Sequence, residues 1–185
     1  MKKAFVVLVV LLLCMSFIGA FADQDSDILV VVFSCTGNTK PLAEYVTELL
    51  DADLYEIEAA QPYTEADLAY YTGGRCDQEQ DNPDIRPAIA NPLVDIGQYS
   101  TIIIGHPIWH GQAPRIISTF LESYDFSGRT MTTFCTSMSS GLGSSASKLY
   151  PLVSDTVTWL ESRRFPAGAS KEEIAAWLNE IGVSK

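Results

Sequence analysis

Short runs of consecutive apolar residues, many of them β-branched, alternate along the chain with longer amphipathic stretches. The five runs predicted as strands are residues 28–33, 54–57, 101–104, 130–135 and 157–160. Strands that are apolar on both faces need cover on both faces, which is typical of parallel sheets. The alternation therefore predicts an α/β fold, in which a doubly wound five-stranded parallel sheet carries helices on both faces.

Amphipathic segments with helical spacing lie between the predicted strands. They are predicted at residues 42–50, 114–124, 143–150 and 171–181. Ser170 is a suitable N-cap for the last of them. Residues 64–71 form a candidate short helix. Residues 73–92 are rich in glycine, proline and polar side chains, so we expect a long surface excursion within a single domain.

The first 22 residues have the order of regions found in a secretory signal. Two lysines precede an apolar stretch, residues 4–15, and Ala20 and Ala22 place small side chains where a signal peptidase recognises them. We therefore expect cleavage after Ala22 and a domain of residues 23–185 that is exported to the periplasm, the cell surface or the medium. A retained membrane anchor is the alternative, but the apolar stretch is shorter than the ~20 residues that a spanning helix needs.

The chain is strongly acidic, which limits its partners. Its 185 residues include 23 Asp and Glu against 12 Lys and Arg, a formal net charge of -11. Loss of residues 1–22 removes two lysines and no acidic residue, so the charge becomes −13. Nucleic acid binding requires clustered cationic side chains, so we expect no nucleic acid partner. Basic proteins are the expected partners, and the protein itself is expected to be a monomer.

A polar, glycine-containing loop follows the first predicted strand directly. It consists of Ser34, Cys35, Thr36, Gly37, Asn38 and Thr39. Ligands of doubly wound sheets bind at the carboxyl ends of the strands, and hydroxyl groups, a glycine and amides at a helix N-terminus together form a phosphate cradle. The lysine-containing loop of nucleoside triphosphatases is absent from the sequence, so a phosphate monoester is the better candidate. An ordinary polar turn is the alternative.

The pattern Ser34-x-Thr36-Gly37-Asn38-Thr39 after a valine-rich strand resembles the FMN phosphate loop of flavodoxins. Two further loops follow the third and fourth predicted strands, where that family places its other flavin-binding loops. They contain Pro107, Ile108, Trp109, His110 and Gly111, and then Thr136, Ser137, Met138, Ser139 and Gly141. The resemblance covers nearly all of residues 23–185 and implies FMN as the cofactor.

The resemblance also implies a role for the second and third loops. Trp109 would provide stacking area for the isoalloxazine ring, although a core position is the alternative. The peptide between His110 and Gly111 would turn its carbonyl toward the flavin N5–H of the half-reduced state. The third loop would offer N–H groups and hydroxyls to the pyrimidine edge. His106 and His110 stand where aromatic rings are expected in the family, and we interpret both as polar loop residues.

The implied function is electron transfer between protein partners, at the low potential that negative charge near the flavin favours. An NAD(P)H-dependent quinone or azo reductase on the same fold is the closer alternative. A flavin-binding module without electron transfer is a further one. The sequence leaves open whether the protein is an enzyme, because it contains no recognisable nicotinamide site, catalytic triad or carboxylate pair.

Cys35 raises an alternative from another class. Its loop also resembles the nucleophile loop of low-molecular-weight tyrosine phosphatases and arsenate reductases, which have an arginine after five intervening residues. Pro41 occupies that position here, and Lys40 does not provide the bidentate fork of a guanidinium. The sequence therefore argues against a thiol nucleophile. Its histidines and cysteines also lack metal-ligand spacing.

Overall fold

Strands and helices alternate along the chain. The structure, a computed structural model, describes residues 26–93 and 95–185, so the predicted signal sequence lies outside the described residues. The elements are β1 (Ile28–Val32), α1 (Lys40–Leu50), β2 (Asp53–Glu56), α2 (Arg75–Asp81), β3 (Thr101–Pro107), α3 (Arg115–Glu122), β4 (Thr130–Thr136), a 3-10 helix (Tyr150–Leu152), β5 (Thr158–Trp159), β6 (Arg163–Phe165) and α4 (Lys171–Glu180). Within the described residues, no helix is both long and apolar enough to cross a membrane.

All strands belong to one parallel sheet, in the order β2-β1-β3-β4-β5, with β6 also pairing with β4. Val31 lies between Tyr55 of β2 and Ile104 of β3 in this register. The chain leaves β1 toward one edge and then crosses to β3 on the other side, so the strand order reverses between β1 and β3. The predicted α/β fold is confirmed.

Two hydrophobic cores cover the two faces of the sheet, because alternate side chains of each strand point in opposite directions. Val31 and Ile104 belong to the core that includes residues of α2 and α3. Val30 and Ile103 belong to the core that includes residues of α1 and α4. The prediction of helices on both faces is therefore confirmed.

Two short strands occupy the fifth position of the sheet, where the sequence predicts one. Between β5 and β6 the chain bulges away from the main-chain ladder of β4. Side chains bridge the interruption, since the Thr132 hydroxyl donates to the Glu161 carbonyl at 3.1 Å and the Thr133 N–H donates to the Ser162 hydroxyl at 3.4 Å. The pairing then resumes in β6.

Two of the predicted helices are wrong. Residues 143–150 form successive turns that end in the 3-10 helix, because Gly143 has a left-handed backbone (φ 53) and Pro151 has no N–H to donate. Residues 64–71 contain turns at 65–68 and 70–71 instead of a helix, and the Asp67 carboxylate accepts the Thr64 N–H at 2.8 Å in the first of them. Tyr71 then has φ 60, which ends any right-handed helix there.

The predicted surface excursion at residues 73–92 is wrong for its first part, because α2 packs against the body of the protein. Residues 82–92 are irregular and mostly exposed or half-buried, as predicted. Cys76 is fully buried and Gln80 is 3% exposed. The Gln80 side-chain amide donates to the carbonyls of Trp109 at 2.9 Å and Ala113 at 3.2 Å. These bonds replace the water that the buried NH2 group of Gln80 loses, so a polar segment can be buried without an apolar pattern in its sequence.

Candidate cofactor-binding site

A cleft opens at the carboxyl ends of β1 and β3, where the strand order reverses. Its volume is about 270 Å³, close to the lower end of the ~300–1,000 Å³ usual for ligand pockets. It is lined by Cys35, Thr36, Asn38, Leu68, Tyr70, Pro107, Ile108, Trp109, Thr136, Ser137, Met138 and Ala167. The three predicted loops therefore meet in one place, joined by the segments before α2 and after β6.

Several predicted site residues flank the cleft rather than line it. They are Ser34, Gly37, Thr39, His110, Gly111, Ser139 and Gly141. All of them belong to the same three loops, so each lies within a few residues of the lining.

The loop between β1 and α1 presents its backbone to the cleft. The Ser34 hydroxyl accepts the Thr39 N–H at 3.3 Å, and the Asn38 amide donates to the Thr36 hydroxyl at 3.0 Å. Gly37 has φ 76, and a Cβ there would meet nothing within 4 Å. The N–H groups of Thr36, Gly37 and Asn38 donate to no partner in the part of the chain that the structure describes. Free amides before a helix N-terminus suit an anion.

A buried hydroxyl pair joins the first loop to the third. The side-chain oxygens of Thr39 and Thr136 lie 2.8 Å apart, and the two residues are 1% and 3% exposed. Thr39 makes no side-chain capping bond to α1. Its hydroxyl therefore stabilises the contact between the first and third loops.

The Cys35 thiol is unsuited to act as a nucleophile. Burial raises its pKa to about 12, although the nearby Arg75 guanidinium acts in the opposite direction. A thiol nucleophile needs a lowered pKa, and no arginine is among the described residues that line the cleft. The geometry therefore agrees with the sequence in arguing against a phosphatase-type site.

Trp109 lines the cleft but is largely a core residue. It is 5% exposed and packs edge-on against Phe33 and Tyr63, with ring centroids 5.6 and 5.1 Å apart. Most of the indole surface is therefore buried in the core, in agreement with the alternative interpretation of Trp109 as a core residue. Only a small part of the indole remains available to a ligand.

His106 is a buried strand residue, so its interpretation as a polar loop residue is wrong. It lies within β3 with 0% exposure, and its Nδ1 is 3.0 Å from the Pro107 carbonyl oxygen. Burial lowers its pKa to about 4, although the contact with the Pro107 carbonyl acts in the opposite direction. The imidazole is therefore neutral near pH 7.

The second loop ends in a two-residue turn at the rim of the cleft. The N–H of Trp109 donates to the Gln112 carbonyl and the N–H of Gln112 donates to the Trp109 carbonyl, each at 2.9 Å. His110 has φ 48 and Gly111 has φ 73. Two positive φ angles in such a turn identify type I′.

Tyr70 is the aromatic wall that sequence reasoning missed. It is 46% exposed, lines the cleft and donates its hydroxyl to the Ile108 carbonyl at 3.3 Å. Leu68 of the same segment also lines the cleft. The pair Tyr70-Tyr71 within a polar stretch was the available signal, because neighbouring aromatic residues outside a core pattern often mark a binding surface.

Arg164 of β6 holds the third loop and was also missed. Its guanidinium donates to the Ser137 carbonyl at 2.6 Å, the Ser137 hydroxyl at 3.0 Å and the Met138 carbonyl at 3.2 Å. Met138 is 97% exposed at the tip of that loop. Sequence reasoning did not place a strand at residues 163–165, so nothing brought Arg164 to this edge of the sheet.

The fold and the cleft are those of a known protein family. A family model described as flavodoxin matches residues 27–181. The chain belongs to the flavodoxin family. This membership confirms the predicted resemblance and the predicted cofactor, FMN. A search of curated protein sequences finds no match.

Solved structures with the same fold include two from Bacteroides. A flavoprotein of Bacteroides eggerthii is 41% identical with a TM-score of 0.78, over 85% of this chain and 98% of that one. A flavoprotein of Bacteroides uniformis is 40% identical with a TM-score of 0.77, over 82% and 97%. A Lactobacillus acidophilus flavoprotein in complex with FMN is 24% identical with a TM-score of 0.57, over 81% and 97%, and shares the fold.

Proposed function

We propose that this chain is an FMN-binding electron carrier that works outside the cytoplasm and exchanges electrons with basic protein partners. The observation that carries the proposal is the cleft itself. Free amides before α1 lie at one part of the cleft, and apolar side chains, among them Leu68, Tyr70 and Trp109, form another. FMN combines a phosphate monoester with a planar ring. The amides suit the phosphate, and the apolar side chains suit the ring.

The amides of residues 36–38 are suited to bind the phosphate without a free lysine. Lys40 lies next to this loop, but its ammonium group pairs with the Glu56 carboxylate at 2.6 Å. The positive end of the α1 dipole and the free N–H groups therefore supply the attraction. FMN supplies the redox chemistry when it is bound, while the chain binds the cofactor, orients it and excludes water.

The sequence favours a carrier over a reductase, because it contains no recognisable nicotinamide site. The net charge of -11 supports contact with basic redox proteins, because opposite charges steer association. An NAD(P)H-dependent quinone or azo reductase is the alternative function, and the following experiment distinguishes it from a carrier.

Stepwise anaerobic reduction of residues 23–185 with bound FMN, followed by visible absorption, tests the proposed carrier. Accumulation of half-reduced flavin is expected, because a carrier separates its two one-electron steps. Direct passage to fully reduced flavin, together with turnover of NAD(P)H, would instead assign the reductase function. Failure to bind FMN would overturn both.

A comparison of FMN with riboflavin tests the cradle by itself. Riboflavin lacks the phosphate, and a hydrogen bond to a charged group contributes about 1.5–3 kcal/mol. Two such bonds contribute about 3 kcal/mol or more, so we expect FMN to bind at least ~100-fold more tightly than riboflavin. The variant Gly37→Asp adds a negative charge to the cradle and is expected to reduce this ratio. Equal affinities for the two flavins in the unmodified protein would contradict the cradle.

Export is the second part of the proposal, and it rests on the sequence of residues 1–22. Intact-mass measurement of the protein recovered from its own host tests the cleavage directly. We expect a chain that begins at Asp23, recovered outside the cytoplasm. A cytoplasmic chain that begins at Met1 would contradict it.

A further inference from the structure

One carboxylate connects the segment before α2 to the turn at the rim of the cleft. Asp77 accepts N–H groups from Tyr71 at 3.1 Å, Thr72 at 2.7 Å and Gly73 at 2.8 Å. One of its oxygens also lies 2.8 Å from Nε2 of His110. Both oxygens are therefore engaged, one by Thr72 and Gly73 and the other by Tyr71 and His110.

Asp77 is well suited to remain a charged acceptor in this position. Its residue is 6% exposed, and burial by itself raises the pKa of the carboxyl group. The N–H groups of residues 71–73 and the His110 ring outweigh that effect, so its pKa lies below the ordinary value. A buried carboxylate that accepts three backbone N–H groups and lies against an imidazole nitrogen forms a strong junction between the two segments.

The His110 side chain is held on further sides. Its ring lies against Tyr70 and Tyr71, with centroids 4.9 and 5.3 Å apart. The carbonyl of Trp109, at the start of the turn, accepts bonds from Gln112 and from the side chain of Gln80. Side chains from the segment before α2 and from α2 itself therefore hold the turn from outside.

The backbone of the turn adds a second restraint. Rotation of the peptide between His110 and Gly111 would convert type I′ into type II′, in which the first central residue has φ near +60° and ψ near about −120°. Only glycine adopts that conformation readily, and His110 occupies the first central position. The peptide is therefore expected to resist rotation even without the side-chain contacts.

We propose that Asp77 is a positioning residue that clamps the His110–Gly111 turn in one orientation beside the cleft. The carbonyl of the 110–111 peptide then keeps its direction in the oxidised and reduced protein, in contrast to the turning peptide that the family resemblance implies. The effect of this carbonyl on a bound flavin rests on the proposed function, which places FMN in the cleft. The clamp itself is a property of the chain without flavin.

Hydrogen exchange in the flavin-free protein tests the clamp. The variant Asp77→Asn is expected to accelerate exchange of the Trp109 and Gln112 amides at least ~10-fold, because the turn loses its carboxylate anchor. Asp81→Asn makes the same substitution at an exposed position of the same helix and is expected to leave these rates unchanged. Equal rates in both variants would overturn the clamp.

A second variant distinguishes loss of the contact between Asp77 and His110 from general disruption around Asp77. His110→Asn keeps a residue that tolerates the left-handed backbone but removes the imidazole. Faster exchange is expected at Trp109 and Gln112, with the amides of residues 71–73 still protected by Asp77. Unchanged exchange at the turn would show that the imidazole contact does not hold it.

Redox titration with bound FMN tests the consequence. His110→Gly removes the side-chain contact and permits the rotated turn, so the equilibrium constant for half-reduced flavin should change at least ~10-fold, or about 59 mV in the separation of the two potentials. Asp77→Asn is expected to give a smaller change and Asp81→Asn none. An unchanged separation in both His110→Gly and Asp77→Asn would overturn the positioning role. Failure to bind FMN would overturn the proposed function and leave the exchange result intact.

Discussion

Burial divides the residues of the cleft loops into two kinds. Trp109 and His106 are enclosed by neighbouring side chains, so they stabilise the loops from beneath. Tyr70 and Met138 expose much of their surface and remain available to a ligand or a partner. Substitutions of the first kind are expected to change stability, whereas substitutions of the second kind should change binding.

His106 is expected to make stability depend on pH. The unfolded chain protonates this imidazole near the ordinary pKa of 6.5, whereas burial lowers the pKa to about 4 in the folded protein. The unfolded state binds more protons between these values, so the free energy of unfolding falls as pH falls through this window, by up to about 1.4 kcal/mol per pH unit. Urea denaturation at several pH values measures the slope. His106→Leu should lose this contribution, and an unchanged slope in that variant would contradict the assignment.

Trp109 and Tyr70 are expected to respond differently to truncation. Trp109→Ala should lower the free energy of unfolding by about 3–5 kcal/mol, because the indole packs within the core. Tyr70→Ala should leave stability nearly unchanged but weaken FMN binding about 10-fold, the equivalent of one aromatic contact. Denaturation curves and flavin fluorescence titrations measure the two effects. Unchanged FMN affinity in Tyr70→Ala would remove this side chain from the binding site.

At the scale of elements, the interruption between β5 and β6 determines which side chains reach the third loop. The bulge restores pairing at the far end of β4, where Arg164 lies opposite Cys135. This register brings the guanidinium to the backbone of Ser137 and Met138. The conformation of the third loop therefore depends on a strand that contributes no residue to the cleft lining.

Arg164→Gln is expected to weaken FMN binding about 10-fold, because the third loop loses hydrogen bonds from a charged donor. Arg163→Gln is the matched control, since it removes the same charge from the neighbouring residue. Arg163 pairs with Glu180 at the surface, where an ion pair contributes about 0–1 kcal/mol. Isothermal titration with FMN compares the two variants. A similar loss of affinity in both would point to overall charge instead of loop geometry.

At the scale of the whole molecule, excess negative charge is the property that a partner meets first. Acidic residues outnumber basic ones by 23 to 12, and several cations are already paired, such as Lys40 with Glu56 and Lys171 with Glu48. The surface is therefore expected to present a negative potential to approaching proteins. Such a potential raises the association rate with a basic partner and lowers it with an acidic one.

Electron transfer from the reduced protein to a basic redox protein should slow as salt is added. Surface charges are screened over about 10 Å at 0.1 M ionic strength and about 3 Å at 1 M, so long-range attraction is lost. Stopped-flow measurement of the second-order rate constant against ionic strength provides the test. An acidic redox protein serves as the control, and its rate constant should rise with salt. A rate constant for the basic partner that does not depend on salt would contradict the proposed class of partner.

Local patterns were sufficient for the sheet but not for the segments that cover the cleft. The apolar runs predicted β1, β3 and β4 correctly, because these strands are buried on both faces and therefore mostly apolar. The edge strand β2 also lies where it was predicted, although Asp53 and Leu54 are exposed. Helix α2 was not predicted, since its buried face is polar and is stabilised by contacts with Trp109 and Ala113, which are distant in the sequence. The interruption of the fifth strand was not predicted either, because it depends on bonds of the Thr132 and Ser162 hydroxyls with residues 29 positions away in the sequence.

The sequence by itself determined the fold class, the family resemblance and the loops that meet at the carboxyl edge of the sheet, since each depends on composition and order along the chain. The role of those loop residues as flavin ligands stays a prediction. Only the tertiary structure decided that Tyr70 forms a wall of the cleft, that Arg164 holds the third loop and that Asp77 joins His110. These contacts unite residues far apart in the sequence, and burial and hydrogen bonding between them act only once the chain has folded.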